Sequence, residues 1–370
     1  MLRCENRNAK GFPRRLPKAS LGLCCLSAHT KGSTEGTRRQ MNHRERFQAL
    51  MNSRPVDRLP VIEWASWWDQ TLDRWHGEGL PENGDKFAFL GLDPHRQLWI
   101  GAHAPGCPAP ARHGAGILPD LSLPAYEEFK RKHLFPKPAL NLDAFTGWSE
   151  AHARGEFIFW GTLEGFFWFP RTLLGIEPHL YAFYDHPELM HRINADLVEY
   201  HLLALEQLCR ISTPEFITFA EDLSYNHGPM LSKECFDEFL APYYRRIIPE
   251  LKKRGIRAIV DSDGDVTTVI PWFQSVGIEG ILPLERRAGI DVAEIRRRHP
   301  RWLMIGAFDK TVMSSGEAAM RAEFERLLPV MRQGGFLPCV DHQTPPDVSL
   351  AQYRVYVRLL GEYAVKGAPR

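Results

Sequence analysis

From Glu215 to the C-terminus the chain alternates strand-like and helix-like segments without a break. "EFITFAEDLSY" reads as strand and loop, and "SKECFDEFLAPYYRRIIPELKKRG" as a helix capped by Ser232 and ended by Gly255. "IRAIVDSDGD" is strand and loop, with a helix expected from Val266 in "VTTVIPWFQSVG". "IEGILPLE", "RWLMIGAFDK" and "FLPCVDHQTPP" repeat the strand pattern, each followed by a helix. These strands are short and apolar on both faces, as parallel strands covered by helices are. Two architectures satisfy such alternation: an open doubly wound sheet and a single (β/α)8 TIM barrel. No GxGxxG or GxxxxGK[ST] follows any strand, so a nucleotide-binding open sheet has no support. The barrel also explains where the acids fall. Glu221 and Asp222, Asp261 and Asp263, Glu285, Asp309, and Asp341 with His342 all follow apolar runs. In a parallel barrel those positions converge on one mouth.

The first half fits the same plan less regularly. A helix is expected over His43–Met51, a strand in "VIEWAS", a helix in "WWDQTLDRWHGEG" and a strand in "RQLWIGAH". Residues 104–124 are rich in Pro and Gly and form a long excursion. "EFIFWGTLEG" is a strand running into a loop, and "PELMHRINADLVEYHLLALEQLCR" a long amphipathic helix. Residues 1–40 differ: they are basic, with Arg3, Arg7, Lys10, Arg14, Arg15 and Lys18 close together. They lack apolar periodicity and are expected to be a disordered leader, from a start codon set too early, ahead of a barrel spanning 41–370. The formal net charge of +1 gives no reason to expect nucleic acid or an anionic membrane as partner. The seven cysteines contain no CxxC pair, so neither a zinc knuckle nor a disulfide framework is signalled, and a cytoplasmic protein is the simplest reading.

"RAIVDSDGD" concentrates the problem, with acids at three alternate positions, Asp261, Asp263 and Asp265. Such acids repel one another unless a cation, a proton or a basic ligand lies among them. Strand alternation aims Asp261 and Asp263 at the mouth, and Asp265 is expected to cap the next helix. Asp341 and His342 arrive at the same mouth, which makes Asp261, Asp263, Asp341 and His342 candidate ligands of a divalent metal. A histidine nitrogen among carboxylates favours a transition metal. Only one of Glu221 and Asp222 can face the cleft, and that one is the candidate acid/base, with His342 as another. Trp64 and Trp67 are placed to stack on a flat or methylated ligand, including a cation. Arg171, Tyr225 and His227 are candidates for orienting a small-molecule substrate.

Three stretches carry a family resemblance: "RERFQALMNSRPVDRLPV", "GPMLSKECFDEFLAPYYRRI" and "GGFLPCVDHQTPPDVSLAQY". They resemble the uroporphyrinogen decarboxylase superfamily, and the likeness extends from Met41 onward. It implies one eightfold barrel with its cleft at the C-terminal mouth, where a His on the last strand loop lines the site in the decarboxylases. It implies one of two chemistries: cofactor-free decarboxylation of uroporphyrinogen, or zinc-dependent methyl transfer between corrinoid proteins and thiols. The decarboxylases carry Arg-Gln-Ala-Gly-Arg after the first strand; here "VIEWASWWDQTLD" has no Arg between Arg58 and Arg74. The methyltransferases carry His-x-Cys where this chain has Asp261 and Asp263, and a second Cys near the position of Asp341 and His342. The expectation is therefore a divergent, metal-dependent methyltransferase-like enzyme. Its metal would be a divalent transition ion such as zinc, and a corrinoid-bearing partner protein and a homodimer are both compatible with it. The alternatives are a uroporphyrinogen decarboxylase or related cofactor-free decarboxylase, and a non-catalytic barrel binding a small molecule or a corrinoid protein.

Overall fold

The computed structural model describes residues 40–65 and 67–370; residues 1–39 of the expected leader lie outside them. Its strands are β1 (His95–Ile100), β2 (Ile158–Glu164), β3 (Phe216–Ala220), β4 (Ser224–Tyr225), β5 (Gly228–Pro229), β6 (Arg257–Asp261), β7 (Gly280–Leu282), β8 (Leu303–Phe308) and β9 (Phe336–Val340). Seven of them form one curled sheet in the order β1-β2-β3-β6-β7-β8-β9, while β4 and β5 make a separate small hairpin. Every pair in the large sheet is parallel, so all seven C-terminal ends lie on one side. The order follows the chain because each crossover helix returns the backbone to the next free edge.

The helix Pro187–Ile211 shows what holds the layers together. Its Leu189, Ile193, Leu197, Leu205 and Leu208 recur at helical spacing and are all buried. It packs where Gly161 leaves room: a Cβ there would meet Ile217 Cδ1 at 2.8 Å and Leu208 Cδ2 at 2.9 Å. Gly161 and Ile217 therefore face the helices, and alternation turns Trp160, Thr162, Phe216 and Thr218 to the inner face. There Trp160 stacks on Phe216 at 5.3 Å, and Phe47 of the helix His43–Met51 stacks on Phe216 from the N-terminal side. At that end Glu215 gathers Arg44 Nε at 2.6 Å, His152 Nε2 at 3.0 Å and Phe159 N at 2.8 Å. The end opposite the mouth is thus closed by a helix and a satisfied ion cluster.

Three expectations need correction. The described residues of "VIEWAS", 61–65, are not a ladder strand. The Asp93 carboxylate takes the Val61 N–H at 2.9 Å, and Asp93 N donates back to Val61 O at 2.7 Å, so a side chain replaces the neighbouring strand. The helix expected from Val266 begins at Ile270, after a turn in which Asp265 Oδ1 accepts from Thr267 N at 3.0 Å and Thr267 Oγ1 at 2.6 Å. Asp265 caps that turn rather than the helix. "SKECFDEFLAPYYRRIIPELKKRG" is two helices, Lys233–Phe239 and Ala241–Lys253, with Pro242 in the first turn of the second, where a missing N–H costs nothing. Among the described residues no helix is long and apolar enough to cross a membrane.

Candidate functional site

At the C-terminal end of β3 the chain makes a sharp choice between two acids. Glu221 N and Asp222 N both reach Asp261 O, at 2.8 and 3.4 Å, and Asp222 adopts a left-handed φ of 43°. That conformation, which Asp tolerates better than most residues, sends the two side chains apart. Glu221 goes to the helix side and is buried. Its carboxylate accepts from Phe166 N at 2.9 Å, Phe167 N at 2.7 Å and Trp168 N at 3.2 Å, and from the Tyr244 hydroxyl. Burial still pushes its pKa up to about 7, against the pull of those donors. Glu221 thereby fixes the turn into the helix Trp168–Leu174.

Asp222 goes to the inner side and meets the two acids of β6. One carboxylate oxygen each from Asp222, Asp261 and Asp263 lies within 4.8 Å of the others. All three are half-buried. Burial raises the pKa of Asp261 and Asp263 well above the usual range, and the neighbouring charges of Asp222 and Glu285 add to it. Asp222 is raised by burial too, with Arg171 opposing. Without a cation the cluster must hold a proton. The loop is pinned from outside: Gly264, at φ 80°, lies so close to the β4–β5 hairpin that a Cβ would sit 2.5 Å from Tyr225 Cα. Asp265 N donates to Tyr225 O at 2.9 Å.

Asp341 is brought to the same end but turned elsewhere. It is fully buried and accepts from Arg286 N at 3.0 Å and Lys310 N at 3.2 Å, with Lys310 Nζ at 3.5 Å. Burial lifts its pKa to about 6, opposed by Lys310. It stands outside the three-carboxylate group. His342 does approach: its Nε2 is 3.6 Å from Asp263 Oδ2. Burial, helped by Lys310, lowers its pKa to about 4, so the ring is neutral at pH 7 and offers a lone pair. Lys310 also lies 3.7 Å from Glu285 Oε1, and Glu285 Oε2 accepts from Gly264 N at 3.1 Å. Cys339 shares the inner face with Asp341 but is buried, its Sγ 3.8 Å from Leu337 O and its thiol pKa raised by that burial.

The aromatic candidates separate. Trp64 stays at the mouth, its Nε1 donating to Val340 O at 2.8 Å and its ring edge-on to His342 at 6.4 Å. Trp67 does not line the cleft. It is 9% exposed and packs between Trp75, Phe87 and Tyr353, because the helix Asp69–Gly77 carries its neighbours into the core. Arg171 lies over the Trp168 ring at 4.9 Å and donates to Asp222 O at 3.3 Å, holding the backbone of the acid turn. Tyr225 and His227 are exposed on the hairpin, their rings edge to face at 5.7 Å. Asp309 turns from the mouth to cap its own loop through Thr311 N at 2.9 Å. Sequence reasoning passed over Lys310 and the pair formed by Glu164 and His103, whose Oε1 and Nδ1 are 3.6 Å apart. The signal for Glu164 was present, since it is the acid that ends β2.

The model of the uroporphyrinogen decarboxylase (URO-D) family matches residues 151–363, more than half of the chain. No curated protein matches it. Among solved structures, a B12-independent methionine synthase from Shewanella sp. W3-18-1 in complex with selenomethionine is 13% identical, with 58% of this chain and 63% of that one covered and a TM-score of 0.38. A chain from Listeria monocytogenes assigned as a vitamin-B12 independent methionine synthase is 14% identical, with 56% and 63% covered and a TM-score of 0.34. The chain spans less than two thirds of either of those proteins. The match to the family model spans β2 to β9 and every acid of the mouth, and the chain belongs to the uroporphyrinogen decarboxylase family.

Proposed function

We propose that this chain is an enzyme of the family that works at the C-terminal mouth with a divalent cation held by Asp222, Asp261 and Asp263. The observation that carries this reading is the convergence of three half-buried carboxylates within 4.8 Å. Their donor chemistry decides what fits. Zinc of the thiolate-and-imidazole kind does not, because the nearby thiol of Cys339 is buried and turned to a backbone carbonyl. A harder ion suits oxygen donors, and the neutral His342 beside Asp263 extends the choice from magnesium to manganese or iron. A cation there supplies Lewis acidity at the mouth. The protein's own part is to hold the acids through Arg171 and the β4–β5 hairpin, with Asp222 rather than Glu221 turned to the cluster. Group transfer, of a methyl in the reading we favour, suits a neutral or cationic substrate. The same reading closes the barrel with Val61–Glu63 as an eighth element, supported by its bonds to Asp93 on one side and the Trp64 bond to Val340 on the other.

Calorimetric titration with Mn²⁺ should find one site per chain. Asp261→Asn and Asp263→Asn should each weaken it at least tenfold, while Asp265→Asn and Asp341→Asn leave it within about threefold. Absence of binding by Mn²⁺, Mg²⁺ and Zn²⁺ alike would overturn the reading.

A further inference from the structure

Trp99 is 46% exposed, although it lies within the edge strand β1, laddered to β2, rather than on a loop. The ladder fixes which way it faces. Trp99 pairs with Thr162, Thr162 with Thr218, and Thr218 with Ile259. The Thr162 and Thr218 hydroxyls are 2.8 Å apart, and Gln97 Nε2 donates to Thr162 Oγ1 at 3.2 Å. This is the inner face, turned away from the helix Pro187–Ile211. Other large side chains on that face, Trp160, Phe216 and Ile259, are buried. Trp99 is the exception, with the exposed Gln97 two residues before it.

One register step toward the mouth, the same face carries Glu164, Ala220 and Asp261 in a single cross-strand row. Strand spacing puts Glu164 and Asp261 about 10 Å apart, with Trp99 one strand beyond Glu164 and one step below. A water-exposed indole thus opens onto the concavity whose rim bears Asp222, Asp261 and Asp263. The face of an indole is electron-rich and attracts cations and electron-poor rings. Gln97, its amide nitrogen engaged by Thr162, presents a carbonyl acceptor beside it. Three carboxylates outweigh one divalent cation, so the mouth stays negative with the metal bound.

We infer that Trp99 is the stacking platform for the ligand, and that the ligand is a planar organic cation. The inference rests on the reading that the mouth acids form the functional site, and it names the substrate class of that site. A single flat indole with acids to one side selects a flat cation over a flat anion. It also selects against a tetrahedral ammonium, which several aromatic walls would be needed to enclose.

The test uses N-methylquinolinium as probe, with naphthalene-2-sulfonate as its anionic counterpart, titrated into the full chain with and without Mn²⁺. N-Methylquinolinium should quench tryptophan fluorescence and bind. Trp99→Leu should weaken it at least tenfold, Trp99→Phe should restore it to within about threefold, and the sulfonate should not compete. The Mn²⁺ affinity of both variants should match the wild type, which also shows that they fold. Equal probe affinity in wild type and Trp99→Leu, tighter binding of the sulfonate, or no probe binding at millimolar concentration would each overturn the inference. Trp99-dependent probe binding in a protein that takes up no Mn²⁺ would remove the metal reading and uphold this one. Normal Mn²⁺ binding with Trp99-independent probe binding would do the reverse.

Discussion

Glu221 and Asp222 are chemically almost alike and adjacent, yet the backbone at Asp222 gives them opposite tasks. One is locked beneath a helix start by three N–H donors, and the other is aimed at two more acids. Glu63 is a third case, fully buried against the Tyr356 hydroxyl at 2.5 Å. Desolvation raises its pKa from 4.5 to about 8, the Tyr356 bond only partly offsetting it, so it is neutral at pH 7. The native state therefore binds a proton that the unfolded chain has lost between those two values. Stability from this group is complete below pH 4.5 and drains away as pH rises through 8, by about 1.4 kcal/mol per unit. Glu63→Gln removes the titration. From pH 5.5 to 7.5 denaturant unfolding should show the variant gaining about 3 kcal/mol relative to wild type. Parallel stability curves would show that Glu63 is ionised in the folded protein.

At the scale of elements, the junction between β2 and the helix Trp168–Leu174 depends on one glycine. Gly165 N donates to Ala220 O at 2.7 Å, and a Cβ at Gly165 would lie 2.2 Å from the Glu221 carboxyl. The strand end, the helix start and the acid turn are packed on one another through that gap. Gly165→Ala must displace Glu221 or part β2 from β3, at a cost of about 3 kcal/mol. Because Glu221 and Asp222 share a turn, the same change should weaken Mn²⁺ binding, whereas a merely local strain would lower the melting temperature alone. The expected strand in "VIEWAS" belongs here as well. Its apolar pattern was legible, but no pattern reveals that the Asp93 carboxylate will occupy the Val61 N–H.

Over the whole molecule, the charge of the mouth is what makes us propose group transfer rather than uroporphyrinogen decarboxylation. Asp222, Asp261, Asp263, Glu285 and Asp341 gather at the mouth against Lys310 and Arg171, and Lys310 already faces Glu285 and Asp341. Uroporphyrinogen carries eight carboxylates, and an unpaired buried charge costs several kcal/mol, on the order of 3 to 5. The purified protein should yield no coproporphyrinogen from uroporphyrinogen III under anaerobic, reducing conditions. Turnover sufficient to consume the substrate would restore the decarboxylase reading.

The sequence by itself determined the parallel strand–helix order, the meeting of the acids at one end and the family. Each of these depends on local periodicity or on short motifs, which neighbouring residues encode. It also separated Asp261 and Asp263 from Asp265, since alternation along a strand is a local property. What only the tertiary structure decided are the partners. Asp222 joins Asp261 and Asp263 because two strands are neighbours and one residue takes a left-handed φ. Asp341 leaves the group because Arg286 N and Lys310, from two other strand ends, satisfy it first. Trp67 is drawn into the core and Trp99 is left exposed because burial depends on what the rest of the chain lays over a side chain, and a strand's own pattern carries no record of that.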